Sequence, residues 1–229
     1  MRDKIKDIEY FNKFINEDTE RVRNFSKKIE SGEVAPERIF PVQSFVHDIK
    51  LGILVAKYSK GDDLSILEKE YLELLDGWKD VWEPDYYNKN LKMISLGLLF
   101  DADKVFVAQI REMLKELDIN DWLLYFLLDS WDNKQTNGDK KLLFPKSFST
   151  LQKVVFAENK VELLKKYLSH DWYNRDCGCY EAHKSKQNIY YGYWSFEAGA
   201  ISRILSLDDS SLKDVSYYPY DIVHYKRKD

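Results

Sequence analysis

His47 and Asp48 are the first residues along this chain that could do chemistry. A His-Asp pair on a helix can begin a metal-hydrolase ligand set, but that chemistry needs further His and Asp ligands around the ion. The other three histidines, His170, His183 and His224, all fall in the last third of the chain. A helix histidine satisfied by its own surroundings is the better expectation for His47. One metal-like cluster remains: His170, Cys177, Cys179 and His183, two thiols and two imidazoles within fourteen residues. Such a donor set could hold zinc, and through it a metal-dependent hydrolase. Its C-x-C spacing is tighter than the usual finger pattern, and two cysteines do not make a disulfide framework. The expectation is no metal, with zinc on those four residues as the alternative. The chain has no P-loop, G-x-S-x-G, H-E-x-x-H or G-x-G-x-x-G motif. Without a cofactor motif or a nucleophile–base set, neither an enzyme nor a cofactor is expected.

Charge is more informative than any of these. Nine acidic residues lie between positions 62 and 85: Asp62, Asp63, Glu68, Glu70, Glu73, Asp76, Asp80, Glu83 and Asp85. Only Lys69 and Lys79 oppose them. If residues 64–82 form one helix, Glu73, Asp76, Asp80 and Glu83 share a narrow sector opposite the stripe Leu64, Leu67, Tyr71, Leu75 and Trp78. Like charges at that spacing repel by about 0.2–0.5 kcal/mol per pair. One reading is an ordinary solvated face. The other is an acidic strip, Glu70, Glu73, Asp76, Asp80 and Glu83, that meets a basic partner and speeds association more than it adds affinity. A net charge of −4 argues against non-specific nucleic-acid binding, which needs a basic surface.

The elements that would carry these groups are helices. Glycine (9) and proline (5) are too few among 229 residues for the many turns of a β-protein. Ile5, Ile8, Phe11, Ile15, Val22, Phe25 and Ile29 form one stripe of a long first helix, which Ser31-Gly32 ends. Further helices are expected at about 42–58, 64–82, 86–100, 104–117, 122–131, 147–157, 159–168 and 191–205, with a last short turn after Asp208-Asp209. Residues 169–187 should be irregular. The polar stretch 132–141, with Asn137-Gly138, is the most linker-like. The expected fold is therefore all-α: a multi-helix bundle or helical-repeat-like array of roughly ten helices without significant β-sheet. The expected domains are residues 1–131 and 147–229, joined by a linker-like segment at 132–146. Leu74-Leu75-Asp76-Gly77-Trp78 and Leu127-Leu128-Asp129-Ser130-Trp131 echo one another and could mark an old repeat. The chain opens on a charged amphipathic segment and contains no run of about 18 apolar residues, so a cytoplasmic protein without a membrane span is expected.

The most specific segment is in the last forty residues: Gly192-Tyr193-Trp194-Ser195-Phe196-Glu197, then Leu207-Asp208-Asp209-Ser210-Ser211-Leu212, then Tyr218-Pro219-Tyr220-Asp221. Ala198-Gly199-Ala200 would let another part of the chain come close. Glu197, between large apolar neighbours, would be costly to bury without hydrogen-bond partners. Pro219 fixes the chain entering Tyr220-Asp221, where the aspartate can close a turn.

Together these three blocks resemble the PoNi family, immunity proteins paired with PoNe-type DNase effectors of bacterial secretion systems, type VI among them. Arg2-Asp3-Lys4 through Tyr10-Phe11 resembles that family's start, as does Tyr86-Tyr87 with Leu91 and Ser95-Leu96-Gly97. His183 matches a histidine ahead of the family's Gly-Tyr-Trp block, whereas Cys177 and Cys179 match nothing in it. The resemblance implies an all-helical protein whose partner is a basic DNase toxin, with the motif residues structural in role. A helical-repeat scaffold with a non-nuclease partner is the alternative. The oligomeric state, monomer or homodimer, is open at this level.

Overall fold

The computed structural model describes residues 1–134 and 140–226, apart from the side chain of Asp176. Ten α-helices run along these residues, with short 3-10 and π segments between them. No strand occurs among the described residues, and one isolated bridge joins Asp121 to Lys141. The all-α expectation holds. Contacts divide the chain into two compact units, residues 1–83 with 181–192 and residues 84–180 with 193–229.

The first unit holds α1 (Ile8–Glu30), α2 (Pro36–Lys60), α3 (Leu64–Asp76) and a 3-10 turn, Trp78–Val81. Asp7 caps α1 by accepting the Tyr10 N–H at 2.8 Å. Helix α2 starts earlier than its apolar pattern, at Pro36, because proline is tolerated in a first turn whose N–H has no partner anyway. Pro41 then forfeits a single bond near the helix start, which the packing of the rest of α2 outweighs. By length and composition α2 could cross a membrane, the one such helix among the described residues. Half of its most apolar window is buried, and α2 packs against α1 and α3.

The N-terminal strap is tied to the end of α2. Arg2 and Asp3 donate backbone N–H groups to the Ser59 carbonyl, and the Arg2 guanidinium donates to the carbonyls of Tyr58 and Asp62. A cation at a helix C-terminus is favourable both for the helix dipole and for the orphan carbonyls. Residues 181–192 return to this unit through hydrogen bonds. Tyr190 donates its phenol to buried Asp3 at 2.5 Å, and its N–H to the Tyr10 hydroxyl at 3.1 Å. Ser59 donates to the Tyr191 carbonyl at 2.8 Å.

The second unit holds α4 (Tyr87–Leu99), α5 (Val105–Glu116), α6 (Trp122–Trp131), α7 (Pro145–Phe156), α8 (Lys160–Lys166), α9 (Phe196–Ile204) and α10 (Tyr220–Val223). Buried α4 packs on α9 and α6, and α7 packs on α8. Asp121 is the polar knot of this unit. Fully buried, it caps α6 through the Leu124 N–H at 2.9 Å and accepts the Tyr87 phenol at 2.9 Å and the Leu143 N–H at 2.8 Å.

Three local expectations change. Residues 169–176 are not irregular: α8 runs on as a π-helical stretch, Tyr167–Asp176. Helix α9 begins at Phe196 instead of 191, because Gly192 has φ +114° and the Ser195 N–H turns away to the Tyr217 carbonyl at 2.8 Å. The single helix expected over 64–82 is cut at Gly77 into α3 and the 3-10 turn. Of the linker-like stretch, residues 135–139 lie outside the described residues. Helix α6, before that stretch, packs on α9, beyond it, so contacts cross residues 132–146.

Candidate functional site

The acidic segment of the first unit is built on α3. Asp63 caps the helix, accepting the Ser65 N–H at 2.8 Å. Leu67, Tyr71, Leu74 and Leu75 are buried on the inward face, and burial pushes the Tyr71 phenol well above its usual range. His47 of α2 donates from Nε2 to the Leu74 carbonyl at 3.0 Å, satisfying one of the last carbonyls of α3. This is the structural part His47 plays; it faces a helix end, not a ligand set. Trp78 and Val81 anchor the following 3-10 turn.

The outward side chains divide into two groups. Glu73, Asp76 and Asp80 are exposed. No ion pair or hydrogen bond engages their carboxylates among the described residues. Glu70 and Glu83 are occupied within the unit: Glu70 pairs with Lys57 at 2.5 Å, and Glu83 accepts a hydrogen bond from Ser44. Because the helix ends at Gly77, Asp80 and Glu83 do not continue the helical sector that the sequence spacing suggests. The strip is therefore three solvated carboxylates spread over a helix end and a 3-10 turn. In the same unit Phe40, Phe45 and Ile66 are also exposed.

The motif-bearing segment of the second unit turns inward. Glu197 is buried and accepts hydrogen bonds from Ser195 at 2.7 Å and from the Tyr167 phenol at 3.3 Å. Asp209 is buried and bound by the Tyr218 phenol at 2.5 Å and by His224 Nε2 at 2.8 Å. Burial, and then the Asp209 carboxylate, push the Tyr218 phenol up. Gly199 lies against Pro219 and Val223: a Cβ there would stand 2.8 Å from Pro219 Cγ and 2.9 Å from Val223 Cγ2. That contact explains why the Ala-Gly-Ala and Tyr-Pro-Tyr-Asp blocks occur in one chain. Phe196 and Tyr193 are buried and Trp194 half-buried, while Asp208, which binds the Ser210 N–H, and Asp221 are exposed. Tyr220 meets His224 at a tilt, with ring centroids 4.3 Å apart.

Arg203 is the residue that sequence reasoning missed here. Its guanidinium donates to the carbonyls of Leu99, Ile222, Val223 and Tyr225, closing the ends of α4 and α10. Desolvation lowers its pKa, but an arginine stays charged in this setting. The only sequence sign was a cation in the last turn of a predicted helix.

The zinc alternative finds no ligand set. Among the described residues no group of three or more His, Cys, Asp or Glu could hold a metal ion. His170 is exposed beside Ser169, and His183 meets the Tyr190 ring edge-on. Cys177 and Cys179 are free thiols.

Comparison with known proteins places this chain. The crystal structure of protein PA2201 from Pseudomonas aeruginosa matches with a TM-score of 0.70 at 19% identity, over 94% of this chain and 87% of that one. At that identity the match is one of fold. Comparison with curated proteins gives no match. The family model described as PoNe immunity protein (PoNi), N-terminal, matches residues 2–111, and its C-terminal counterpart matches residues 119–222. Both halves of one family thus account for nearly the whole chain, and the protein belongs to the PoNe immunity proteins.

Proposed function

We propose that this chain binds a cognate PoNe DNase in the cytoplasm and neutralises it by covering the basic cleft that grips DNA, without catalysis of its own. The observation that carries the proposal is the exposed trio Glu73, Asp76 and Asp80, close together along the chain and engaged by no ion pair or hydrogen bond among the described residues. A DNase must present cationic groups to phosphate. Carboxylates held on a folded surface can take the place of that phosphate while offering no bond to cut. Exposed Phe40, Phe45 and Ile66 of the same unit supply the apolar contact that charge alone does not. Glu70 and Glu83 belong to the support of this surface, since each is already engaged.

The test is a triple charge reversal, E73K/D76K/D80K, measured against the toxin encoded beside the gene. Association at low salt should slow about tenfold or more, and the loss should shrink as salt rises. Survival of cells expressing the toxin should fall with it. Full protection together with an unchanged association rate would refute this surface. A nuclease-free pull-down would favour the scaffold reading instead.

A further inference from the structure

The segment Cys177-Gly178-Cys179 follows the π-helical stretch of the second unit and lies outside the acidic strip. Both cysteines are partly exposed and neither is in a disulfide. Gly178 has φ +66°, a left-handed bend between the two cysteines. The Cys179 thiol also lies 3.2 Å from the Cys177 carbonyl, and in its protonated form Cys177 donates to the Tyr173 carbonyl at 2.9 Å. Among the described side chains, the titratable groups facing the pair are Lys92 of α4, Tyr173 of the π-helical stretch, and Tyr217, which precedes α10. Tyr217 is held neutral chiefly by its own burial. The hydrogen bond from Cys179, backbone N–H groups of the bend and the Lys92 charge bring the Cys177 thiol down to about 7. The neighbouring Cys177 sulfur and then burial push the Cys179 thiol up.

We propose that Cys177 and Cys179 are an oxidation site, with Cys177 the nucleophile toward hydroperoxides and Cys179 the resolving thiol. The Cys177 thiolate attacks one oxygen of hydrogen peroxide. The O–O bond breaks, hydroxide leaves, and the sulfur becomes a sulfenic acid. The Cys179 sulfur then attacks that sulfur. An S–S bond forms, and the sulfenic hydroxyl departs as water with the Cys179 proton. Two thiols and one peroxide give one disulfide and two waters. The resting form is the dithiol, as a reducing compartment maintains it. A disulfide requires the sulfurs at about 2.05 Å.

The experiment exposes the full chain to graded hydrogen peroxide from pH 5.5 to pH 9, with intact-mass and peptide mapping as readout. The wild type should lose the mass of two hydrogens within the peptide carrying both cysteines, with a rate that rises to half its maximum near pH 7. In C179S, dimedone should trap a sulfenic acid on Cys177, and C177S should lose the fast reaction. An intermolecular disulfide as the main product would overturn the proposal. So would a rate that rises only through the ordinary thiol range near 8.5, or dimedone on Cys179 in the wild type.

Discussion

Leu74-Leu75-Asp76-Gly77-Trp78 and Leu127-Leu128-Asp129-Ser130-Trp131 are nearly the same five residues, and the fold puts them to opposite uses. In the first, the helix stops at Asp76 and the exposed carboxylate has no ion-pair partner among the described residues. In the second, Asp129 and Trp131 both lie inside α6. There Asp129 is buried against Arg111 at 2.5 Å. The tryptophans differ too. Trp131 donates its indole N–H to the Ala102 carbonyl at 2.8 Å, whereas the buried Trp78 indole meets no acceptor among the described residues. The two segments show that a carboxylate's role depends on what folds against it. They also show why the echo is not a structural repeat: the helix breaks off after the aspartate of the first copy and runs on to the tryptophan of the second.

The largest effect that would test this contrast is at Asp129. Asp129→Ala leaves the Arg111 guanidinium with its partner gone in a mostly buried setting, and should cost about 3 kcal/mol, the lower end for a broken buried pair. Urea unfolding would measure it, and a loss under about 0.5 kcal/mol, the scale of ordinary surface changes, would erase the contrast. Next come the tryptophans. Both Trp131→Phe and Trp78→Phe remove ring volume, but only the former abandons a hydrogen bond, so it should be worse by about 1 kcal/mol. Equal losses would show that the Ala102 bond contributes nothing net. The smallest effect on stability is at Asp76. Asp76→Ala should leave unfolding within about 0.5 kcal/mol of the wild type while slowing association with the toxin, which separates a binding role from a structural one.

The two copies also mark how far the residues alone carry. Helix existence was legible nearly everywhere, because amphipathic spacing is a local property. The Asn120-Asp121 cap and helix 122–131 are where the spacing puts them. Boundaries failed where backbone groups are claimed from far along the chain, as at Ser195 and Tyr217. The acidic character of residues 62–83 was legible as composition. That Glu70 and Glu83 are engaged while Glu73, Asp76 and Asp80 are not was hidden, since Lys57 and Ser44 approach from another helix.

What the residues determined unaided is the all-helical class, the apolar stripes and most caps, along with the buried lot of Glu197, whose flanking apolar residues demanded partners. What only the tertiary structure decided is pairing. Asp3 finds Tyr190 across 187 positions, and Arg203 reaches back to Leu99 across 104. Hydrogen bonds and charges act over a few ångströms of space regardless of separation along the chain, so the satisfaction of a polar group becomes visible only when the chain has closed on itself.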